Sequence, residues 1–356
     1  MKSKIIKIAI SALFIAFICF KVEWGDFGEK LRNINMFYFW MSIGIALVMI
    51  STSCLKWQLM LRMQGARLGF FYLLKNYYIG YLFSVLLPSN VGGDVVRSYY
   101  IGKRINEQYI SAVAVFLERF TGIIFLLMLA VVSPFLTPHV LGYWRVIIPM
   151  IGSLTLLVFM LLLLRTDWLL RLSNKIILKV FSVIRIILKK LGIGFMNRLL
   201  EKTAVFYGKV FEKGMKFYRK LMKTITLFKH HPGYLLATIV LTVLFYVWTW
   251  LNVLFGFLTF NVDVGFSEVV SLLPIIMLVS MIPITFGSIG LAEGAYVFYF
   301  ALVGISRESA LIMSFLLRFK LMLMALAGFV FYLTYKHRKD DYNEMVKAKS
   351  KEDAIR

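Results

Sequence analysis

Six ionisable side chains lie inside apolar stretches of this 356-residue chain: Asp94, Arg97, Glu118, Arg119, Glu293 and Arg318. A charge at the centre of a bilayer costs at least about 2.5–3.5 kcal/mol on insertion scales, so such groups face the protein interior or a polar cavity and are paired. Three acids against three bases suit mutual pairing. Asp94 and Arg97 are three residues apart and can share a helix face. Glu118 and Arg119 are neighbours pointing about 100° apart, so each needs a different partner. Arginines collected in this way suit an anionic group such as a lipid phosphate. An ion-pair network that only clamps two halves together is the competing reading. Lys320 is a seventh charge, on a different face from Arg318, and the sequence offers no account of it.

The elements that hold these residues are interrupted. Pro283 to Arg318 reads PITFGSIGLAEGAYVFYFALVGISRESALIMSFLLR, an apolar run broken by Pro283, Gly287, Gly290 and Gly294. Pro88 to Arg119 reads PSNVGGDVVRSYYIGKRINEQYISAVAVFLER, with breaks expected at Pro88, Gly92 and Gly93. Both stretches carry an acid a few residues past the break, then Ser-Ala, an apolar segment and Arg-Phe. Irregular backbone at membrane depth is tolerated only where protein covers it or where it lines a polar cavity. Helix N-termini after such breaks aim free N–H groups and partial positive charge inward. Two interrupted segments in corresponding places of two halves point to a transporter binding site. Gly290 and Gly294 also fit a small-x-x-x-small packing face.

The wider chain places this in a membrane. It is 60% hydrophobic, with a mean hydropathy of +0.79 and continuous apolar runs. That pattern predicts an all-α polytopic membrane protein rather than a soluble domain or a barrel. About six full spans are expected, at 5–22, 37–61, 109–133, 144–164, 233–260 and 309–335. Two broken, re-entrant hairpins join them, at 70–104 and 268–304. The formal net charge is +23, and residues 165–229 hold sixteen Lys/Arg against three acids. Basic residues beside span ends follow the positive-inside pattern, with attraction to anionic lipid at the cytoplasmic surface, and argue against nucleic acid as a partner. Lys56, Arg62 and Arg67 mark one span end as cytoplasmic on this reading. The regions are therefore 1–164 (first membrane half), 165–231 (basic interfacial or cytoplasmic amphipathic helices), 232–335 (second half) and 336–356 (cytoplasmic tail). Both termini are expected in the cytoplasm and the two hairpins to open on opposite sides, as an inverted repeat.

Soluble-type catalytic motifs and a nucleotide-binding loop are not visible. His139, His230, His231 and His337 have no metal-ligand spacing, and Cys19 and Cys54 read as small apolar residues. No metal, cofactor or catalytic residue is expected.

At these residues the chain resembles the membrane region of bacterial lysylphosphatidylglycerol synthases and its stand-alone, flippase-like relatives. The resemblance is carried by Pro88-x-x-x-Gly92-Gly93-Asp94-x-x-Arg97, Glu118-Arg119, Pro283-x-x-x-Gly287-x-x-Gly290-x-x-Glu293 and Arg318, within about residues 5–335. Ser288 stands where a second glycine is common, Asp94 where glutamate is common, and Gly122 where an acid often follows Glu-Arg. In two-domain relatives a separate cytosolic domain transfers an aminoacyl group from tRNA to phosphatidylglycerol, and the membrane part is assigned the movement of the product. About 20 residues follow the last expected span here, so that domain is expected to be absent and the chain not to be an enzyme. The resemblance implies an inner-membrane flippase for an anionic or phosphate-bearing lipid: a phospholipid, aminoacyl-phosphatidylglycerol or a polyprenyl-phosphate glycolipid. Its alternatives are a membrane-embedded transferase acting on lipid head groups and an accessory subunit beside an envelope-lipid biosynthetic enzyme.

Overall fold

The computed structural model describes residue 28 and residues 31–87, 91–165, 168–190 and 194–334. The expected span at 5–22, Pro88, Cys19, His337 and the tail 336–356 lie outside the described residues. Everything regular among the described residues is helical, with no strand. Five helices there are long and apolar enough to cross a membrane. They are α1 (Met36–Met63), α4 (Gln108–Val132), α5 (Trp144–Arg165), α8 (Pro232–Leu258) and α11 (Arg307–Leu333). Local chemistry sets several starts. The Asn35 side chain caps α1 by accepting from the N–H groups of Phe37 and Tyr38, Pro232 opens α8, and the Ser306 side chain accepts from the Ser309 N–H of α11.

Four shorter helices lie between these: α2 (Phe70–Leu86), α3 (Gly92–Arg104), α9 (Phe266–Ser280) and α10 (Leu291–Phe300). At 1.5 Å per residue they run about 15–26 Å, short of a hydrocarbon core of about 30 Å. Gly93 of α3 lies against the backbone of Gly80 in α2, so closely that a Cβ there would collide with the Gly80 carbonyl oxygen and Ser84 Oγ. Gly92 and Gly93 therefore do not break a helix; they form the first turn of α3 and let it close onto α2. Gly294 likewise sits inside α10. The break of the second hairpin spans 281–290, where Gly287, Ser288 and Gly290 adopt φ of 57°, 57° and 81°. That is the left-handed region, and it accounts for glycine at two of the three positions. Ser288 is held there by its hydroxyl, which donates to the Ser280 carbonyl at 2.6 Å.

The basic region forms α6 (Trp168–Lys190) and α7 (Gly194–His230). Leu221 and Phe228 of α7 are buried in the core, and Lys220 lies over the Tyr109 ring. The outer face carries the exposed Glu212–Lys216 pair at 2.8 Å, in which the ammonium holds the Glu212 carboxyl below its usual range.

Among the described residues the two largest apolar clusters organise the bundle. The first gathers the C-terminal half of α1, α2, the end of α3 and the start of α4, including Trp57, Leu61, Leu73, Ile101 and Leu117. The second gathers the end of α4, the end of α8, α9, α10 and the start of α11, including Ala130, Phe257, Leu272, Phe300 and Met313. They sit at opposite ends of α4. Helices α1 and α8 run antiparallel, because Asn35 N–H donates to the Thr259 carbonyl at 2.8 Å and Asn261 Nδ2 to the Asn33 carbonyl at 2.7 Å.

Register recurs between the halves. The onsets of α3 and α10, the onsets of α4 and α11, the acids Asp94 and Glu293, and the arginines Arg119 and Arg318 are all offset by 199 residues. Replacing Gly93 by Ala should destabilise the protein by about 1–3 kcal/mol through overpacking, whereas Gly152→Ala, which meets nothing within 4 Å, should not. Thermal unfolding in detergent checks the contrast.

Candidate functional site

Both short helices place a carboxylate at their third residue, Asp94 in α3 and Glu293 in α10. Free N–H groups and the helix dipole favour negative charge in the first turn. Glu293 uses this directly: its Oε2 accepts from Gly290 N–H at 2.7 Å, while Oε1 accepts from Arg318 Nε at 2.5 Å. Asp94 is answered by Arg119 in a two-point pairing, Nε to Oδ2 at 2.8 Å and Nη2 to Oδ1 at 3.0 Å. In each half, then, the acid of the short helix meets the arginine 25 residues later. Each arginine lies 11 residues into its long helix, about 16 Å along it and near mid-depth.

The first half carries an additional pair. Arg97, one turn beyond Asp94, donates through Nε to Asp94 Oδ1 at 3.0 Å and through Nη2 to Glu118 Oε2 at 2.5 Å. Tyr77 donates its hydroxyl to Glu118 Oε1 at 3.0 Å. The Arg97 guanidinium is only 1% exposed and lies 4.7 Å from the Trp57 ring centroid and 4.4 Å from that of Tyr77. Aromatic faces stabilise a desolvated guanidinium. Nη1 has no hydrogen-bond partner among the described residues. Glu118 and Arg119, pointing apart, do take different partners, and Asp94 and Arg97 do share a face.

The six groups form two clusters: Asp94, Arg97, Glu118 and Arg119 across α3 and α4, and Glu293 with Arg318 across α10 and α11. Asp94, Arg97, Glu118 and Glu293 are buried. Arg119 differs, with 51% of its side chain exposed despite its depth in α4. Its guanidinium is fixed on one edge by Asp94 and open on the other.

Three features escaped the sequence reading. Lys320 is buried and donates to Asn252 Oδ1 of α8 at 2.5 Å. Lys56 does not mark a helix end at the surface: it lies in α1 with 5% exposure. The signal was present, because Thr52 and Lys56 are four apart within an apolar run and put polar groups on one inward face. At the far end, Ser133, Thr137 and Ser271 interlock through Ser271 Oγ to the Ser133 carbonyl at 2.9 Å and Thr137 Oγ1 with Ser271 Oγ at 2.8 Å. Among the described residues no group of three His, Cys, Asp or Glu side chains is placed to hold a metal ion.

Long apolar helices joined by short broken ones, with ion pairs at mid-depth, define a multi-pass helical membrane protein with an internal polar site. The chain belongs to the lysylphosphatidylglycerol synthase TM region family, which it matches over residues 4–328. No curated protein and no solved structure matches it.

Asp94→Asn leaves Arg97 and Arg119 without their shared carboxylate, and should cost about 3–5 kcal/mol in thermal unfolding. The Asp94→Asn/Arg119→Gln pair should be non-additive by about 1 kcal/mol or more, since the two residues share one contact.

Proposed function

We propose that this protein moves an anionic or phosphate-bearing lipid between leaflets, and that its own chemistry is binding and passage rather than catalysis. One observation carries the reading: the same acid–arginine pair, with the same 25-residue separation, recurs in both halves behind a broken hairpin. A clamp alone would not require an arginine at mid-depth with half of its side chain open, as Arg119 has. Family membership is consistent with this role.

The two halves form an inverted repeat on this reading. Support comes from the antiparallel α1 and α8, and from the apolar clusters at opposite ends of α4, one around each hairpin mouth. The hairpins then enter from opposite faces and present Arg119 and Arg318 toward the interior. A lipid phosphate meets guanidinium groups there, while its acyl chains stay in the surrounding bilayer. The protein sits in the plasma membrane with membrane lipid as its partner. Basic α6 and α7 lie along the cytoplasmic surface, where anionic lipid attracts them.

Fluorescent phosphatidylglycerol in proteoliposomes tests the reading. Arg119→Ala and Glu293→Ala should each slow translocation by about tenfold or more, as expected when one partner of a buried charge contact is removed. Unchanged rates in both variants would reject the site. Product formed from an activated head-group donor by the purified protein would replace it with the transferase reading.

A further inference from the structure

Lys56 is a buried cation with no hydrogen-bond or ion-pair partner among the described residues. Such a group is costly, and a lysine near a helix end ordinarily extends to the membrane interface. Lys56 lies seven residues from the end of α1, yet its ammonium reaches inward: a Cβ built at Gly122 of α4 would stand 3.6 Å from Lys56 Nζ. Gly122 is one turn beyond Arg119 on the same face of α4. Its carbonyl oxygen is already taken by the Tyr246 hydroxyl at 2.8 Å, and so is directed to α8. No carboxylate among the described residues comes within ion-pair distance of Lys56.

The second half supplies an internal comparison. The onsets of α1 and α8 are offset by 196 residues, which makes Asn252 the counterpart of Lys56. The 199-residue offset of α4 and α11 makes Lys320 the counterpart of Thr121, beside Gly122. The two helix pairs meet at the same level in both halves but one residue apart in register: Asn252 with Lys320, and Lys56 with Gly122, the residue after the counterpart of Lys320. In the second, the lysine is satisfied by Asn252 Oδ1. In the first, the lysine sits on the other helix and faces a glycine. A Cβ at Gly122 would meet only Lys56 Nζ within 4 Å, and Arg119 lies one turn back on the same face of α4.

We propose that Lys56 and Arg119 together bind the phosphate of the anionic ligand over Gly122, Lys56 supplying a point charge and Arg119 a planar donor edge. This rests on the transport reading and adds to it a residue and a location. The first half thereby becomes the half that holds the anion, because Lys56 has no acceptor there, whereas in the second half Arg318 meets Glu293 and Lys320 meets Asn252 Oδ1.

The test is affinity of the purified full-length protein in detergent for short-chain phosphatidylglycerol and, separately, for inorganic phosphate. Lys56→Met should weaken phosphatidylglycerol binding by about tenfold, the usual loss with one charge-assisted hydrogen bond, without lowering the unfolding temperature. Gly122→Asp should give Lys56 an internal carboxylate, raising the unfolding temperature and abolishing binding. Phosphatidylglycerol binding alone assigns the site to a lipid head group; equal Lys56-dependent binding of inorganic phosphate assigns it to the free anion. Wild-type affinity in Lys56→Met, with binding lost in Arg119→Ala, overturns the role of Lys56 and leaves the transport reading standing. No binding of either probe by the wild type overturns both. A lower unfolding temperature with unchanged affinity in Lys56→Met makes the lysine structural and also overturns the proposal.

Discussion

A carboxylate at the start of a helix that begins inside the membrane, answered by an arginine from the next long helix, is the interaction on which the rest of the structure depends. Neither ion is stable alone in a low-dielectric interior, and the helix N-terminus by itself offers only partial charge. Asp94 and Glu293 each combine both sources of compensation. The condition dictates the surroundings. The short helix must begin at depth, so the chain has to break there. The break must be covered, so α3 closes onto α2 through Gly93 and Gly80, and 281–290 folds back through left-handed Gly287, Ser288 and Gly290. The arginine must reach back from mid-span, which fixes the register of α4 on α3 and of α11 on α10.

The halves then diverge in what they add. At the positions of Arg97 and Glu118 the second half has Tyr296 and Leu317, so the second pair, with its Trp57 and Tyr77 cradle, belongs to the first half alone. Lys56 faces Gly122 while Lys320 meets Asn252. One saturated polar contact and one unsaturated one in matching places suit the proposed receipt and release of an anion. The apolar exterior is consistent with a lipid setting: the large hydrophobic residues of α5, among them Ile148, Ile151, Leu154 and Phe159, are exposed along its length.

Much of this was legible in the sequence, for physical reasons. Long apolar runs have few structural outcomes, and charges within them have few tolerable positions, so α4, α8 and α11 fall within a few residues of expectation. The opposite facing of Glu118 and Arg119 follows from helical geometry. Glycine was harder to read. Gly92, Gly93 and Gly294 lie inside helices, because glycine serves close packing as readily as it serves a turn. Matching the halves by Pro gives an offset of 195 and by Ser-Ala 198; matching by helix onset gives 199, and the four extra residues between Pro283 and Glu293 lie in the second break. Lys56 was misread because a lysine near a span end ordinarily marks the surface, and only the tertiary placement of α4 shows its ammonium turned inward. The acceptor of Lys320 lies 68 residues away, beyond any local pattern.

The sidedness of the two hairpin mouths tests the central claim most directly. Glu107, between α3 and α4, and Arg307, at the start of α11, are both exposed, so single cysteines at these positions can be labelled by a membrane-impermeant thiol reagent in vesicles of known orientation. Labelling of Glu107→Cys from one face only, and of Arg307→Cys from the opposite face only, is the predicted result. Labelling of both from the same face would contradict the inverted arrangement.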